Sequence, residues 1–218
     1  MKCFRYKLEH DYGFAPNPFH GILTLATCKS KIRNNKNLRI EDWIIGLGSV
    51  SMGNLDKLIF AMQVEEIITF DQYWNDKRFE CKKPILNGSL VQLYGDNVYH
   101  TDPKTNEVIQ EKCAHSNDDN SVNLDHKNRD VSGINVLLSH RFYYFGDNCP
   151  EIPDEFSYIK LGSKIRDLQF KDLIGKDKEI NDFISWIESN YNVGIHGDPC
   201  NWKEYNLPKL NIYDDGIQ

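Results

Sequence analysis

The fold of this chain is decided by the stretch DWIIGL (residues 42–47), the polar loop after it, and the stretch KLIFAMQV (residues 57–64). Each apolar run has the length of a buried strand. The loop between them, residues 48–54, contains Gly, Ser and Asn, which favour turns. We therefore predict a β-hairpin over residues 42–64.

The elements on either side of the hairpin are also short. Residues 21–26 predict a strand after a turn-rich segment with two prolines, and residues 136–146 predict one further strand. Thr69 and Gln72 have the spacing of a capping box, which predicts a short helix through Trp74. A single apolar stripe predicts a C-terminal helix near residues 177–191, with the members Ile180, Phe183, Ile184, Ile187 and Tyr191.

These elements indicate a single domain over residues 1–218 of the α+β class, mainly β. We expect a small β-barrel or a curled mixed sheet, with a few peripheral helices and long loops. A doubly wound parallel sheet is excluded, because helices do not alternate with the predicted strands.

The composition is that of a globular domain. The chain has 218 residues, of which 40% are hydrophobic and 27% charged, with 14 Gly and 8 Pro. These values exclude fibrous, collagen-like and mostly disordered chains. No apolar run approaches the roughly 20 residues that cross a bilayer, and the first residues lack the apolar core of a signal peptide. We therefore expect a cytoplasmic protein without a membrane partner.

The cysteines contain no CxxC pair and are Cys3, Cys28, Cys81, Cys113, Cys149 and Cys200. In a chain of this size without a secretory signal, we expect them to be reduced and mostly buried. Cys113 and His115 form half of a zinc-binding pattern, but no second half follows. We predict no metal and no cofactor.

The charge is distributed unevenly. A formal net charge of -6 argues against nonspecific binding of long polyanions. Basic residues nevertheless form two patches in the N-terminal part, namely Lys29, Lys31, Arg33, Lys36 and Arg39, and then Lys77, Arg78, Lys82 and Lys83. Such patches suit a small anionic ligand or a short piece of nucleic acid, although solvated loops explain them equally well.

Residues 101–132 are polar and rich in Asn and Asp, so we predict a long surface excursion there. The segment contains His115. An imidazole in such a segment is either a ligand or general base or an ordinary exposed side chain, and the sequence leaves both open.

Residues 94–100 (YGDNVYH) combine a turn with hydrogen-bonding and aromatic side chains. Asp96 and Asn97 have the groups to read a base edge, and Tyr99 offers a ring for stacking. An Asx turn followed by a hydrogen-bonded His100 is the alternative. Tyr73 and Trp74 also stand near Arg78, and a ring beside a cation is one way to hold an unpaired base, although most such rings are in cores.

Several ordered motifs together resemble the nucleotide modification associated domain 2 family over roughly residues 1–200. They are GFAPNPF (13–19), TLATCK (24–29), Ile32-Arg33, DWIIG (42–46), Tyr73-Trp74 with Arg78-Phe79, GDNVY (95–99) and His115-Ser116. The resemblance implies a role in bacterial or phage systems that make or sense modified DNA bases. It brings no catalytic mechanism with it.

The start of the hairpin is also similar to the strand pair of PUA-like domains, the ASCH and EVE group, whose small barrels hold a base in an aromatic cage. This similarity implies a PUA-like barrel in which Trp43, Tyr73 or Trp74 would supply cage walls. From residue chemistry, we expect a ligand to contact Asn17, Lys29, Arg33, Trp43, Tyr73, Trp74, Arg78, Asp96, Asn97, Tyr99 and His115.

The first functional hypothesis is recognition, without catalysis, of a modified nucleobase or nucleotide in a bacterial or phage DNA-modification or defence system. The base would be free or within DNA. The alternative is an enzyme that modifies or hydrolyses a nucleotide or base, with Asp96, His100 or His115 as acid and base. An interaction protein without a small ligand is the third hypothesis, and a homodimer stays open.

The nucleotide hypotheses share one requirement on the fold. Rings and cations of the N-terminal half, above all Trp43, Trp74, Arg33 and Arg78, must converge on a pocket of nucleobase size.

Overall fold

A computed structural model of the protein describes residues 1–164, 171–173 and 176–203. Its strands are β1 (Cys3–Lys7), β2 (Leu23–Leu25), β3 (Trp43–Leu47), β4 (Leu58–Gln63), β5 (Glu66–Thr69), β6 (Tyr99–Thr101), β7 (Val108–Gln110), β8 (Asn135–Ser139), β9 (Phe142–Tyr144), β10 (Lys171–Asp172) and β11 (Gly194–Ile195). Its α-helices are α1 (Ser30–Arg33), α2 (Phe70–Asn75), α3 (Leu90–Leu93), α4 (Leu124–Val131) and α5 (Asp177–Asn190). Short 3-10 helices cover Lys77–Lys82, Gly146–Asn148, Asp154–Ile159 and Cys200–Trp202.

The strands form mixed sheets. A six-stranded sheet has the order β10-β1-β3-β4-β9-β11, a three-stranded sheet has the order β2-β8-β5, and β6 pairs with β7. Over the residues described, no sheet closes on itself. The predicted α+β, mainly β class is confirmed in its curled mixed-sheet form, and the barrel alternative is wrong.

The predicted hairpin is present at the centre of the larger sheet. Strands β3 and β4 pair antiparallel, with Ile45 opposite Ala61 and Ile44 opposite Met62. Ile45 and Ala61 belong to one apolar cluster, whereas Ile44 and Met62 belong to another on the opposite face. Both faces of the hairpin are therefore buried, which explains why its strands are continuously apolar rather than alternating.

The single strand predicted over residues 136–146 is wrong. The segment forms two strands in different sheets, because β8 pairs with β2 and β5 whereas β9 pairs with β4. A turn separates them, in which Ser139 Oγ donates to the carbonyl of Arg141 and the backbone N–H of His140 donates to Glu65. The turn carries the chain from one sheet to the other.

The two predicted helices are observed. Thr69 Oγ1 accepts from the N–H of Gln72, and Gln72 Oε1 accepts from the N–H of Thr69, so the capping box begins α2. Helix α5 places its apolar stripe against the hairpin face that carries Ile45. Tyr191 lies just after the helix, where its ring packs 4.7 Å from that of Phe145.

The description of residues 101–132 as a surface excursion is wrong for part of the segment. It contains β7 and α4, and Asp130 of α4 is fully buried. The helix escapes detection by apolar periodicity because polar contacts hold it. Asn123 caps its first turn by accepting from the N–H of His126. The segment is therefore anchored to the body of the protein.

Among the helices described, none has the length and apolar content that crossing a bilayer requires.

The close packing of the central hairpin is testable at Gly46. A Cβ atom at this position would meet the ring of Phe60, and Leu8 Cδ1 at 2.7 Å. We expect Gly46→Ala to lower the free energy of unfolding by roughly 1 to 3 kcal/mol, because overpacking displaces core side chains. Urea denaturation measures the change. Val50→Ala, in the exposed loop of the same hairpin, should stay within about 0.5 kcal/mol of the parent. Equal stability of the two variants would contradict this packing.

Candidate active site

A cavity of about 880 Å³ lies beside the end of β2. Its volume is within the range of small-molecule sites, roughly 300 to 1,000 Å³. Side chains from the N-terminal segment, the turn after β2, the region around α3 and residues 113–129 surround it. They are Leu8, Glu9, His10, Tyr12, Phe14, Ala15, Cys28, Lys29, Leu86, Leu93, Tyr94, Cys113, Ala114, His115, Asn120, His126 and Arg129.

Cys28 stands in an unusual turn at the wall of this cavity. It has a φ of 52° and Lys29 has a φ of 39°, so two consecutive residues other than glycine adopt the left-handed region. Such a conformation is strained and persists where the surroundings hold it. Here the N–H of Cys28 donates to Asp130 Oδ1 at 2.8 Å, and Arg33 Nε donates to the Cys28 carbonyl at 2.9 Å. The backbone of Cys28 is therefore fixed on both sides.

His115 connects the thiol to a carboxylate. Its Nε2 lies 3.6 Å from Cys28 Sγ, and its Nδ1 lies 2.8 Å from Asp130 Oδ2. A nucleophile, a base that contacts it, and a third group that orients the base are the parts of a nucleophilic triad. The three residues come from the turn after β2, from the loop after β7 and from α4.

Asp130 has no exposure to solvent, yet its carboxylate is well supplied with donors. Besides Cys28 and His115, it accepts from the hydroxyl of Tyr99 at 3.0 Å. Burial raises the pKa of Asp130, but the hydrogen bond from His115 and the other donors outweigh burial, so the pKa lies below its usual value. The carboxylate is therefore ionised at neutral pH.

The imidazole of His115 is held by rings as well as by hydrogen bonds. Phe14 and His126 pack against it edge-on, with ring centroids at 4.7 and 4.3 Å. Burial lowers its pKa, but the hydrogen bonds with Asp130 and Cys28 together raise the pKa of His115 to about 9. The imidazole is therefore protonated at neutral pH, next to the thiol of Cys28.

The same three side chains also offer donor atoms that lie within 4.8 Å of one another, as a metal site would require. A histidine ligates a metal through one nitrogen, whereas the two nitrogens of His115 face different partners. Both oxygens of Asp130 already accept hydrogen bonds. This arrangement fits a nucleophilic triad better than a metal site. The predicted absence of a metal stays a prediction.

Four of the predicted ligand residues are at or behind this site. Lys29 and His115 line the cavity, and the hydroxyl of Tyr99 donates to Asp130.

Arg33 is 1% exposed and does not reach the cavity. Its guanidinium donates to the carbonyls of Cys28, Asp130, Gly133 and Asn135. Arg33 thus ties the Cys28 turn to the end of α4, and its predicted place beside a phosphate is wrong.

Asn17, Tyr73, Asp96 and Asn97 lie in a separate buried network. Asp96 accepts from the hydroxyl of Tyr73 at 2.8 Å, and Asn17 accepts from Lys82 Nζ at 2.6 Å. Asn97 donates to two backbone carbonyls. Burial raises the pKa of Asp96. None of the four lines the cavity, so the fold uses these side chains to hold the three-stranded sheet to its neighbouring loops.

The remaining predicted residues do not meet. Trp43 is 1% exposed in the core. Trp74 stacks on His100 with ring centroids 4.2 Å apart. Arg78 is exposed and pairs with Glu66 and Asp76. The predicted convergence of Trp43, Trp74, Arg33 and Arg78 on one pocket is wrong, because local partners hold each of them elsewhere.

Sequence reasoning missed Cys28 and Asp130. The one sequence signal for Cys28 is that it stands beside Lys29 in one of the family-like motifs, unlike the other five cysteines. The prediction that the cysteines are reduced and mostly buried gave Cys28 no functional role, whereas the structure leaves it partly exposed. Asp130 carries no comparable sign, since it is one of many acids in a polar segment.

The structural role of Arg33 leads to a stability prediction. A lysine cannot reproduce a planar fork that serves four carbonyls, so Arg33→Lys should lower the free energy of unfolding by roughly 1 to 3 kcal/mol. Arg39→Lys, at an exposed position of the same basic segment, should change it by less than about 0.5 kcal/mol. Chemical denaturation measures both. Unchanged stability of Arg33→Lys would contradict the proposed role of Arg33 in tying the Cys28 turn to the end of α4.

A second prediction concerns the titration of His115. The folded-state pKa of about 9 exceeds the ordinary value of 6.5, so the imidazolium stabilises the fold fully below about pH 6.5, and this contribution is lost as the pH rises through about 9. NMR should show the ring titrating near 9 in the parent and well below that in Asp130→Asn. Asp119→Asn, an exposed acid in the same segment, should leave it unchanged. Titration near 6.5 in the parent would refute the pairing.

Comparison with known proteins gives one result that bears on this site. The family model described as nucleotide modification associated domain 2 matches residues 1–206, a range that includes Cys28, His115 and Asp130. None of the curated proteins and none of the solved structures searched matches the chain. Since the matched range covers most of the sequence, this chain belongs to the nucleotide modification associated domain 2 family.

Proposed function

We propose that the protein is a cysteine-dependent acyl-transfer enzyme of a nucleotide-modification system. Cys28 is the nucleophile, His115 is the acid and base, and Asp130 orients the imidazole. One observation carries the proposal: at the wall of the cavity, His115 lies 3.6 Å from Cys28 Sγ and 2.8 Å from Asp130 Oδ2. The family association supplies the biological setting.

The proposed reaction has two halves. The Cys28 thiolate attacks the carbonyl carbon of an ester, amide or thioester, and the imidazolium of His115 gives its proton to the departing alcohol, amine or thiol. The product is a thioester on Cys28. In the second half, His115 takes a proton from water or from an acceptor hydroxyl or amine, which attacks the thioester and restores the thiolate. Water makes the reaction a hydrolysis, whereas an acceptor makes it a transfer.

This proposal develops the enzyme alternative: it keeps His115 and replaces Asp96 and His100 by Cys28 and Asp130. Asp96 is 1% exposed and accepts hydrogen bonds from Thr24 and Tyr73. His100 is paired with Glu111 and covered by Trp74. Neither contacts the cavity, whereas His115 does. Recognition of a modified base or nucleotide remains part of the proposal, as the binding step that precedes catalysis.

Acyl trapping tests the nucleophile directly. We expect p-nitrophenyl acetate at pH 7 to add one acetyl group to Cys28, detected by peptide mass spectrometry after an acid quench. Cys81 is exposed and provides a reference thiol in the same molecule. His115→Ala should lower the rate at Cys28 by roughly ten-fold or more, because an ordinary thiol is only a few per cent ionised at neutral pH.

Variants of the triad show whether the reactivity of Cys28 depends on its partners or only on its exposure to solvent. Cys28→Ala should abolish acetylation at that position and leave acetylation of Cys81 unchanged. Asp130→Asn should slow the reaction at Cys28 without affecting Cys81, since the imidazole loses its orienting partner. If Cys28 reacts no faster than Cys81, and if its acetylation rate is the same in His115→Ala, the proposed enzyme is refuted.

A further inference from the structure

We propose that the cavity beside Cys28 binds a nucleoside monophosphate, with the phosphate between Lys29 and Arg129 and the base against a wall of three rings. The inference rests on the proposed function for its catalytic meaning, because it names the class of molecule that carries the acyl group to Cys28. The binding itself depends only on side chains of the cavity.

The two cations stand beside members of the triad. Lys29 follows Cys28 in the chain, and Arg129 precedes Asp130, and both side chains line the cavity. Lys29 Nζ lies 3.0 Å from the carbonyl of Lys7 and 4.6 Å from the ring centroid of Tyr6. These contacts orient its ammonium from the turn after β2. A phosphate that meets it would lie next to the nucleophile.

Arg129 lines the cavity from α4. Its Nη2 lies 3.1 Å from His126 Nδ1. Burial, the nearby His115 and Arg129 itself lower the pKa of His126, so this ring is neutral and accepts from the guanidinium. Arginine forks match phosphate oxygens, and lysine adds a point charge. Among the described residues that line the cavity, Glu9 is the one acid, so cations outnumber acids there.

The rings form an ordered wall in the same cavity. Tyr12 and Tyr94 stack with centroids 5.4 Å apart and planes 13° apart, and His10 stacks on Tyr12 at 6.1 Å and 25°. All three rings line the cavity, and His10 is the exposed end of the stack. A planar base that adds to this end continues the stack, and such stacking tolerates any base.

The dimensions of the cavity agree with this ligand. Its volume of about 880 Å³ exceeds the lower end of small-molecule sites and leaves room for an acyl substituent beside a nucleotide. The cavity offers both cations and rings, as the phosphate and the base of a nucleotide require, whereas a peptide or a lipid would not require both.

The binding experiment uses Cys28→Ala, which removes the nucleophile but keeps the cavity. Calorimetric titration with dAMP, dGMP, dCMP and TMP is compared with deoxyadenosine and with inorganic phosphate. We expect each monophosphate to bind at least about ten-fold more tightly than the nucleoside or phosphate alone. Arg129→Ala or Lys29→Met, in the same background, should weaken monophosphate binding by about ten-fold and leave nucleoside binding unchanged. His10→Ala should weaken both.

A matched control is Lys127→Ala, because Lys127 is on the same helix but does not line the cavity, and its binding should equal that of the parent. Equal affinity for nucleoside and monophosphate would overturn the phosphate site, and equal affinity for phosphate and monophosphate would overturn the ring wall. The two proposals fail separately. Acetylation of Cys28 without nucleotide binding refutes only the ligand, and nucleotide binding without acetylation refutes only the chemistry.

Discussion

The carboxylate of Asp130 is the constraint on which the candidate site depends. It has no contact with solvent, and it accepts hydrogen bonds from the backbone of Cys28, the imidazole of His115 and the hydroxyl of Tyr99. An unpaired charge in this place would cost several kcal/mol, so each donor is needed to keep the carboxylate ionised. The same bonds fix the turn that carries the thiol. The hydrogen bonds that satisfy the buried charge of Asp130 therefore also set the positions of Cys28 and His115.

Arg33 extends this constraint to the fold. Its guanidinium donates to the carbonyls of Cys28 and Asp130, so it ties the turn after β2 to the end of α4. The turn also continues into β2, which pairs with β8 in the three-stranded sheet. These contacts fix the backbone of Cys28 beside His115, as the proposed nucleophile requires. Preorganisation of this kind is what nucleophilic catalysis requires of a protein.

Two buried polar networks of similar composition have different roles in this protein. The network around Asp96 and Lys82 is closed, because its members bond one another and backbone carbonyls away from the cavity. The network around Asp130 ends in a thiol and an imidazole that face the cavity. The two networks differ in whether their side chains reach the cavity rather than in the kinds of residue they contain. The acyl-transfer proposal and the nucleotide proposal both concern the network around Asp130.

Local rules were enough for the hairpin, the capping box of α2 and the amphipathic helix α5, because each depends on residues close together in the chain. The family resemblance and the choice of His115 also came from the residues alone. The partners of His115 required the tertiary structure, since Cys28 and Asp130 are 87 and 15 residues away from it. The tertiary structure also decided which of the other predicted ligand residues are buried away from the cavity. Charge and ring chemistry are visible in a sequence, but whether Arg33 meets a phosphate or four carbonyls depends on which segments the fold packs around it.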